Sequence, residues 1–179
     1  MSFFIYPQNF DACHVHFSSA TQNQNTENTD SKFYRTIYST NHISLNSIGF
    51  IMHFIPTKPD QSIYRNKWVV SYDPAHLTNT NIINQLRKIE CSILDKFVNS
   101  VLGESRQCVH SLAEHLNSGY IKAYSHYHTE NDYSSDHCNV TDDEITDTCD
   151  GNGLQLIVNI FGVWETRTEC GIVYKFIKW

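Results

Sequence analysis

The stretch LQLIVNIFGVWE (residues 154–165) decides the fold, because it is rich in β-branched and apolar residues and therefore predicts a buried strand. The stretch GIVYKFIKW (171–179), which follows after five residues, alternates well enough between apolar and polar side chains to be its partner. We therefore predict that these two stretches form an antiparallel hairpin.

Four further strands are predicted upstream of that hairpin. KFYRTIYST (32–40) and HISLNSIGFIMHFI (42–55) are rich in aromatic and β-branched residues, and the Asn41-His42 turn between them predicts a second hairpin. IYRNKWVVSY (63–72) predicts a third strand of this group. YIKAYS (120–125) predicts a strand between these and the closing hairpin.

Two helices are predicted between residues 78 and 119. Thr78 or Asn79 can cap the first helix, and Gly103 is expected to end it. Its apolar stripe at helical spacing comprises Ile82, Leu86, Ile89, Ile93, Phe97 and Val101. A shorter helix with Leu112 and Leu116 ends at Gly119.

The order of these elements predicts the fold class. Three strands, two helices and three strands without βαβ alternation indicate an α+β protein with an antiparallel sheet packed against helices. An OB-like (oligonucleotide-binding), partly open barrel is compatible with the same order, since such barrels often carry a helix between strands 3 and 4. The length of 179 residues and the hydrophobic content of 40% predict a single domain over residues 1–179.

The charge is distributed unevenly along the chain. The net charge is -6, yet residues 126–150 hold eight carboxylates and no lysine or arginine, so the remainder carries about +2. We expect residues 127–152 to form an acidic loop. The polar stretch SSATQNQNTENTDS (18–31) has almost no apolar side chains to bury, which predicts a mobile segment.

The sequence also favours an intracellular location. The N-terminal residues lack the basic region of a secretion signal, and no stretch approaches the roughly 20 apolar residues that span a bilayer. Six scattered cysteines in a chain with a sizeable core indicate reduced thiols. We expect no secretion and no membrane partner.

Two groups of histidines and cysteines are candidate metal ligands. The first lies in the acidic segment, but its spacing fits no standard zinc pattern, and a solvated acidic loop is the simpler explanation. It comprises His126, His128, His137, Cys138 and Cys149. The second group, Cys13-His14-Val15-His16, also fits a plain strand of period 2. We expect no metal and no cofactor.

No catalytic motif is recognisable. The sequence contains no nucleophile elbow, phosphate-binding glycine loop, metalloprotease helix or carboxylate pair at catalytic spacing. Cys108, His110 and His115 are the weak candidates for a nucleophile with acid–base partners, and core or surface histidines near a buried thiol explain them better. We predict that the protein is not an enzyme and that it has no catalytic residues.

Cationic and aromatic residues are interleaved on the predicted strands. Cationic side chains hold the phosphates of single-stranded nucleic acids, and aromatic rings stack on the bases. The candidate residues are Tyr34, Arg35, Arg65, Lys67, Trp68, Lys122, Tyr124, Arg167, Lys175, Lys178 and Trp179. Strand alternation puts Arg65 and Lys67 on the face opposite Trp68, so a well-packed sheet without binding function is an equal alternative.

Several stretches resemble a group of proteins from large DNA viruses of eukaryotes. They are KWVVSYDP (67–74), IINQLRKIECSIL (82–94), SLAEHLNSGYIKAY (111–124) and LIVNIFGVWETRTECGIVYKF (156–176), of which the last is the most distinctive. The resemblance implies a single-stranded-DNA-binding or replication-associated protein with an OB-like fold, located in the host cell nucleus or cytoplasm. The chain departs from a dedicated single-strand binder in its low net basicity and in the internal position of its acidic run.

Two functions follow from these observations. The first is non-sequence-specific binding of single-stranded DNA in viral DNA replication or strand handling, as a homo-oligomer. The alternative is a viral structural or protein-interaction module that self-associates through the same aromatics and binds no nucleic acid.

The acidic segment leads to a first testable prediction. A run of carboxylates beside a cationic surface competes with nucleic acid for that surface. Deletion of residues 127–152 is therefore expected to strengthen the affinity for an oligothymidine, as measured by fluorescence anisotropy. Unchanged affinity in the deleted protein would contradict the competition.

Overall fold

The structure is a computed structural model that describes residues 4–22, 31–57, 62–64, 67–103, 106–125 and 154–178. This part of the chain contains eleven strands and two α-helices. The strands are β1 (Val15–Phe17), β2 (Thr21–Gln22), β3 (Lys32–Ser39), β4 (Ser44–Leu45), β5 (Ile48–Phe54), β6 (Ser62–Tyr64), β7 (Lys67–Ser71), β8 (Gln107–Val109), β9 (Tyr120–Ser125), β10 (Leu154–Glu165) and β11 (Glu169–Lys178). The helices are α1 (Leu77–Phe97) and α2 (Ser111–Asn117).

The strands form one open sheet in the order β1-β3-β10-β11-β9-β7-β6. Strands β2 and β4 lie beside β3, β5 beside β10, and β8 beside β11. All pairs are antiparallel except those of β11 with β8 and β9. The α+β class with a mostly antiparallel sheet is therefore confirmed, whereas an OB-like barrel is not. Both helices lie between the predicted third and fourth strands, which correspond to β7 and β9, although the short strand β8 separates the two helices.

The predicted C-terminal hairpin is confirmed, and its first strand organises the sheet. On one side β10 pairs with β11, and on the other it pairs first with β5 and then with β3. A bulge between Ile160 and Gly162 marks the change of partner. A side chain at Gly162 would overlap the Tyr34 carbonyl oxygen and the Phe33 ring, so the close approach of β3 requires glycine.

The second predicted hairpin, of residues 32–40 with 42–55, is confirmed only next to its turn, where Tyr38 and Ser39 pair with Leu45 and Ser44. Strand β3 pairs with only the short β4 from that region, while β5 pairs along its whole length with β10. Phe50, Met52 and Phe54 of β5 are buried by this pairing. The larger apolar burial beside β10 therefore outweighs the local turn at residues 41–42.

Helix α1 is confirmed, and it ends in a π-helical turn (Val98–Leu102) followed by Gly103 in the left-handed conformation, with φ 65°. The predicted cap is wrong, because the N-cap is His76, two residues before Thr78 and three before Asn79. Asn79 is fully buried, and its side-chain amide bonds the backbone of Ile55 and the carbonyl of Asp73. These hydrogen bonds of Asn79 therefore link the first turn of α1 to the residue that follows β5.

A buried carboxylate joins the two helices. Glu90 of α1 is fully buried, and its two oxygens accept the backbone N–H groups of Leu112 and Ala113 at 3.0 Å each. These groups belong to the first turn of α2, where helix N–H donors have no partner within the helix. Burial raises the pKa of Glu90, although the two hydrogen bonds oppose the shift. Glu90 therefore acts as the cap of α2.

The core lies between the sheet and the two helices, and it is one continuous cluster. In the described ranges, no helix is long and apolar enough to cross a membrane. The segment expected to be mobile, residues 18–31, is partly ordered by the pairing of Thr21–Gln22 with β3, and its residues 23–30 lie outside the described part. The acidic loop predicted at residues 127–152 also lies outside it.

Candidate nucleic-acid interface

The strand register assigns each strand residue to one of two sheet faces. Phe176 lies opposite Ala123, which lies opposite Trp68, and this row packs towards α1 and α2. Residues one position away on each strand point to the other side, since side chains alternate along a strand. Both α-helices pack on the first side, and we call the second side the open face, although Ile157 at its centre is fully buried.

Four cationic side chains lie on the open face. Arg35, Lys122 and Lys175 are exposed, and Lys67 is partly exposed. Lys122 and Lys175 each stand one residue before the paired positions Ala123 and Phe176, which makes them neighbours on adjacent strands. Like charges on neighbouring strands repel each other, and a bound anion would relieve that repulsion.

Acidic groups are almost missing from the same face. Among the described strand residues with side chains on it, Glu169 is the only carboxylate, and it lies at the turn between β10 and β11. The other strand carboxylate of this hairpin, Glu165, points towards the helices. The open face therefore carries a net positive charge in the described part of the chain.

Two aromatic rings accompany the cations. The Lys67 ammonium lies 4.6 Å from the centroid of the Tyr124 ring, which is 43% exposed. The Lys175 ammonium lies 4.9 Å from the centroid of the Phe161 ring. Phe161 was missed by the sequence analysis. It lies on the open face two residues after Asn159, and the bulge that follows shifts the alternation, so that Val163 points to the helix side.

The centre of the open face is apolar. Ile51, Ile157 and Ile177 lie side by side on β5, β10 and β11, and Ile157 is fully buried. The face thus combines an apolar centre with cations and rings around it. This arrangement differs from a plain charged surface, because exposed rings can stack on unpaired bases, whereas the fully buried Ile157 cannot contact a ligand.

Tyr34 is one predicted residue that the structure places in the core. Its ring packs at 4.8 Å between centroids against Phe97, and its hydroxyl donates a 2.7 Å hydrogen bond to Glu165. Burial and this hydrogen bond raise the pKa of Tyr34 to about 12, so the hydroxyl stays protonated as a donor. We correct the expectation for this residue, since a buried ring cannot stack on a base.

The remaining predicted residues lie away from the open face or outside the described ranges. Trp68 packs at the margin of the core, with the Lys178 ammonium 3.7 Å from its ring centroid on the helix side. Arg167 is exposed in the turn between β10 and β11. Arg65 and Trp179 lie outside the described residues.

Arg167 borders a cleft of about 490 Å³ beside β2 and the start of β3. Lys32 and Arg106 also line it, and Arg106 lies 4.0 Å from the Glu165 carboxylate. This carboxylate therefore offsets part of the positive charge in the cleft. The cleft is separate from the cations of the open face, which are not among its lining residues.

The weak catalytic candidates are not assembled into one set. The Cys108 sulfur lies 3.9 Å from that of Cys170, and His110 lies 3.9 Å from Cys91 instead. His115 contacts the Tyr174 hydroxyl at 3.2 Å, and burial, with a smaller effect of Lys122, lowers its pKa.

The metal candidates of the acidic segment all lie outside the described residues. They are His126, His128, His137, Cys138 and Cys149. Of the second group, Val15 is fully buried in strand β1 and His16 is exposed on the opposite side of that strand. Cys13 and His14 precede the strand in a 3-10 turn.

Comparison with known proteins identifies no relative. No protein-family model matches the chain. No curated protein and no solved structure shows significant similarity to it either. The resemblance to viral single-strand-binding proteins therefore stays a prediction from the quoted stretches, and the function must be argued from the geometry of the chain itself.

Proposed function

We propose that the open face binds single-stranded nucleic acid without sequence specificity. The observation that carries this proposal is the clustering of Arg35, Lys67, Lys122 and Lys175 on one sheet face that has Glu169 as its sole described carboxylate. Phosphates supply the anions that such a surface attracts. Phosphates and base faces are common to all sequences, which favours binding independent of sequence.

Single strands fit this surface better than a duplex does. Tyr124 and Phe161 lie within 5 Å of an ammonium group, so a base stacked on either ring has its phosphate near a cation. Stacking contributes about 1–3 kcal/mol per base. A duplex keeps its base faces inside its own stack and cannot use the rings.

The viral context and the preference for DNA belong to the same proposal, and the resemblance of the quoted stretches supports them. An OB-like barrel is not required, because a flat sheet can present rings and cations to a single strand as well. The role is then strand coating or strand handling during DNA replication, in which the protein acts by binding alone.

A salt titration tests the proposal. Binding of a fluorescein-labelled oligothymidine is measured by anisotropy between about 20 and 300 mM salt. If all four cations contact phosphates, the logarithm of the affinity is expected to fall against the logarithm of the salt concentration with a slope of about −2.8. Absence of binding at the lowest salt, or an affinity for duplex equal to that for single strands, contradicts the proposal.

The apolar centre of the open face favours a second candidate function. Ile51 and Ile177 are only half-buried on either side of Ile157, so a second copy of the chain could cover them, as in a self-associating structural module. Light scattering coupled to size exclusion separates the two candidates. A dimer or larger assembly that persists at high salt and binds no oligothymidine supports the second candidate and contradicts the first.

A further inference from the structure

Three metal-ligating side chains converge at the turn before β1. Asp11, Cys13 and His14 each offer one ligand atom, and these atoms lie within 4.8 Å of one another. The 3-10 turn (Ala12–His14) brings them together, because its tight backbone puts near neighbours in sequence on one side. Among the described residues this is the one group of three or more such side chains so close together.

The surrounding structure holds two of the ligands in position. One oxygen of Asp11 accepts the Cys13 backbone N–H at 2.8 Å, which fixes the position of the carboxylate beside the Cys13 side chain. The His14 ring packs edge-on against Tyr38, with 5.7 Å between ring centroids. Asp11 and Cys13 are exposed, so an ion can reach them from solvent.

We propose that Asp11, Cys13 and His14 bind a divalent ion of the zinc class, with water as the fourth ligand. Carboxylate, thiolate and imidazole are the ligands that zinc prefers, and three protein ligands with one water form a known type of site. Bond lengths of about 2.0–2.3 Å put the ligands of a tetrahedral ion roughly 3.3–3.8 Å apart. The three atoms therefore need to close by about 1 Å.

The charges at the turn are compatible with moderate affinity. Binding displaces the proton of the Cys13 thiol, and the resulting thiolate together with the Asp11 carboxylate neutralises the two charges of the ion. The Lys96 ammonium, which donates to the Cys13 carbonyl at 3.1 Å, opposes the cation. A bound ion would stabilise the 3-10 turn, which contacts Tyr38 of β3 and Lys96 of α1.

Cobalt(II) titration of the full chain tests the site, since Co²⁺ takes tetrahedral zinc sites and a thiolate ligand gives a charge-transfer band in the near ultraviolet. We expect the wild type to develop this band and Zn²⁺ to abolish it by displacement. Cys13→Ser is expected to remove the band, and Asp11→Asn and His14→Gln are each expected to weaken binding at least about 10-fold. Cys91→Ser, which removes another described thiol, serves as the matched control and is expected to retain the band.

A second pair of substitutions keeps the test specific. Cys138 and Cys149 belong to the histidine- and cysteine-containing acidic segment, which could bind cobalt by itself. Loss of the band in Cys138→Ser/Cys149→Ser with retention in Cys13→Ser overturns the proposal and assigns the ion to that segment. A wild type without any charge-transfer band also overturns it.

Discussion

Replacement of both Lys122 and Lys175 by glutamate is expected to weaken oligothymidine binding by at least about 200-fold at low salt. Affinity varies with salt concentration to the power of about −0.7 per phosphate contact, so at about 20 mM salt each contact contributes roughly 15-fold. Two lost contacts account for about 200-fold, and two added carboxylates repel the strand further. The salt slope is expected to decrease by about 1.4.

The matched control changes the same amount of charge on the other side of the molecule. Arg87 and Lys88 are exposed on α1, so Arg87→Glu/Lys88→Glu alters the net charge by the same four units without touching the open face. We expect this control to bind within a few-fold of the wild type and to keep its salt slope. Equal loss of affinity in both variants would mean that net charge, and not the open face, governs binding.

Replacement of Glu90 by alanine is expected to lower the free energy of unfolding by about 3 kcal/mol. The substitution leaves the backbone N–H groups of Leu112 and Ala113 without their acceptors in a buried place. Each such orphaned donor costs about 1–3 kcal/mol, and relief from burying the carboxylate offsets part of this cost. Urea denaturation measures the change. Glu114→Ala, at an exposed position of α2, is the control and is expected to stay within about 0.5 kcal/mol of the wild type.

The raised pKa of Glu90 also predicts how stability depends on pH. The folded state holds the proton more tightly than the unfolded state, in which the pKa is near 4.5. The stabilisation that results from this tighter binding of the Glu90 proton is fully present below pH 4.5. It is lost as the pH rises through the higher pKa of Glu90 in the folded state. Denaturation of the wild type and Glu90→Gln across this window tests the sign. The free energy of unfolding of the wild type is expected to fall relative to that of the variant as the pH rises.

The elements with a strong local pattern could be predicted from the sequence, while their pairing could not. The apolar stripe of α1 and the β-branched run of β10 each give a period or composition that local structure follows. The partner of β5 lies about one hundred residues later in the chain, and no local sequence signal predicts this pairing. The turn at residues 41–42 favours β3 as the partner of β5. Strand β5 pairs with β10 instead, where its apolar side chains are buried.

For the candidate interface, the sequence identified residue types but not sheet faces. Lys67, Lys122, Tyr124 and Lys175 share the open face because of the register between their strands, which period 2 alone does not reveal. Tyr34 lies on β3, which also mixes aromatic and cationic residues. Its side chain nevertheless points to the opposite face from that of Arg35 and packs against Phe97. Glu90 was missed for a different reason, since a carboxylate is expected in solvent unless a partner such as the first turn of α2 is known.

The position of β10 in the middle of the sheet has a consequence for how the chain acquires its structure during synthesis. Strands β3 and β5 emerge early from the ribosome, but the strand that joins them is made of residues 154–165. Until that part is translated, the strand that contains Phe50 and Phe54 has no β10 to pair with. The nascent chain therefore exposes apolar segments that are buried in the folded protein. The sheet can therefore form only once residues 154–165 have been made, and chaperones that bind exposed apolar strands are expected to engage the chain before that point.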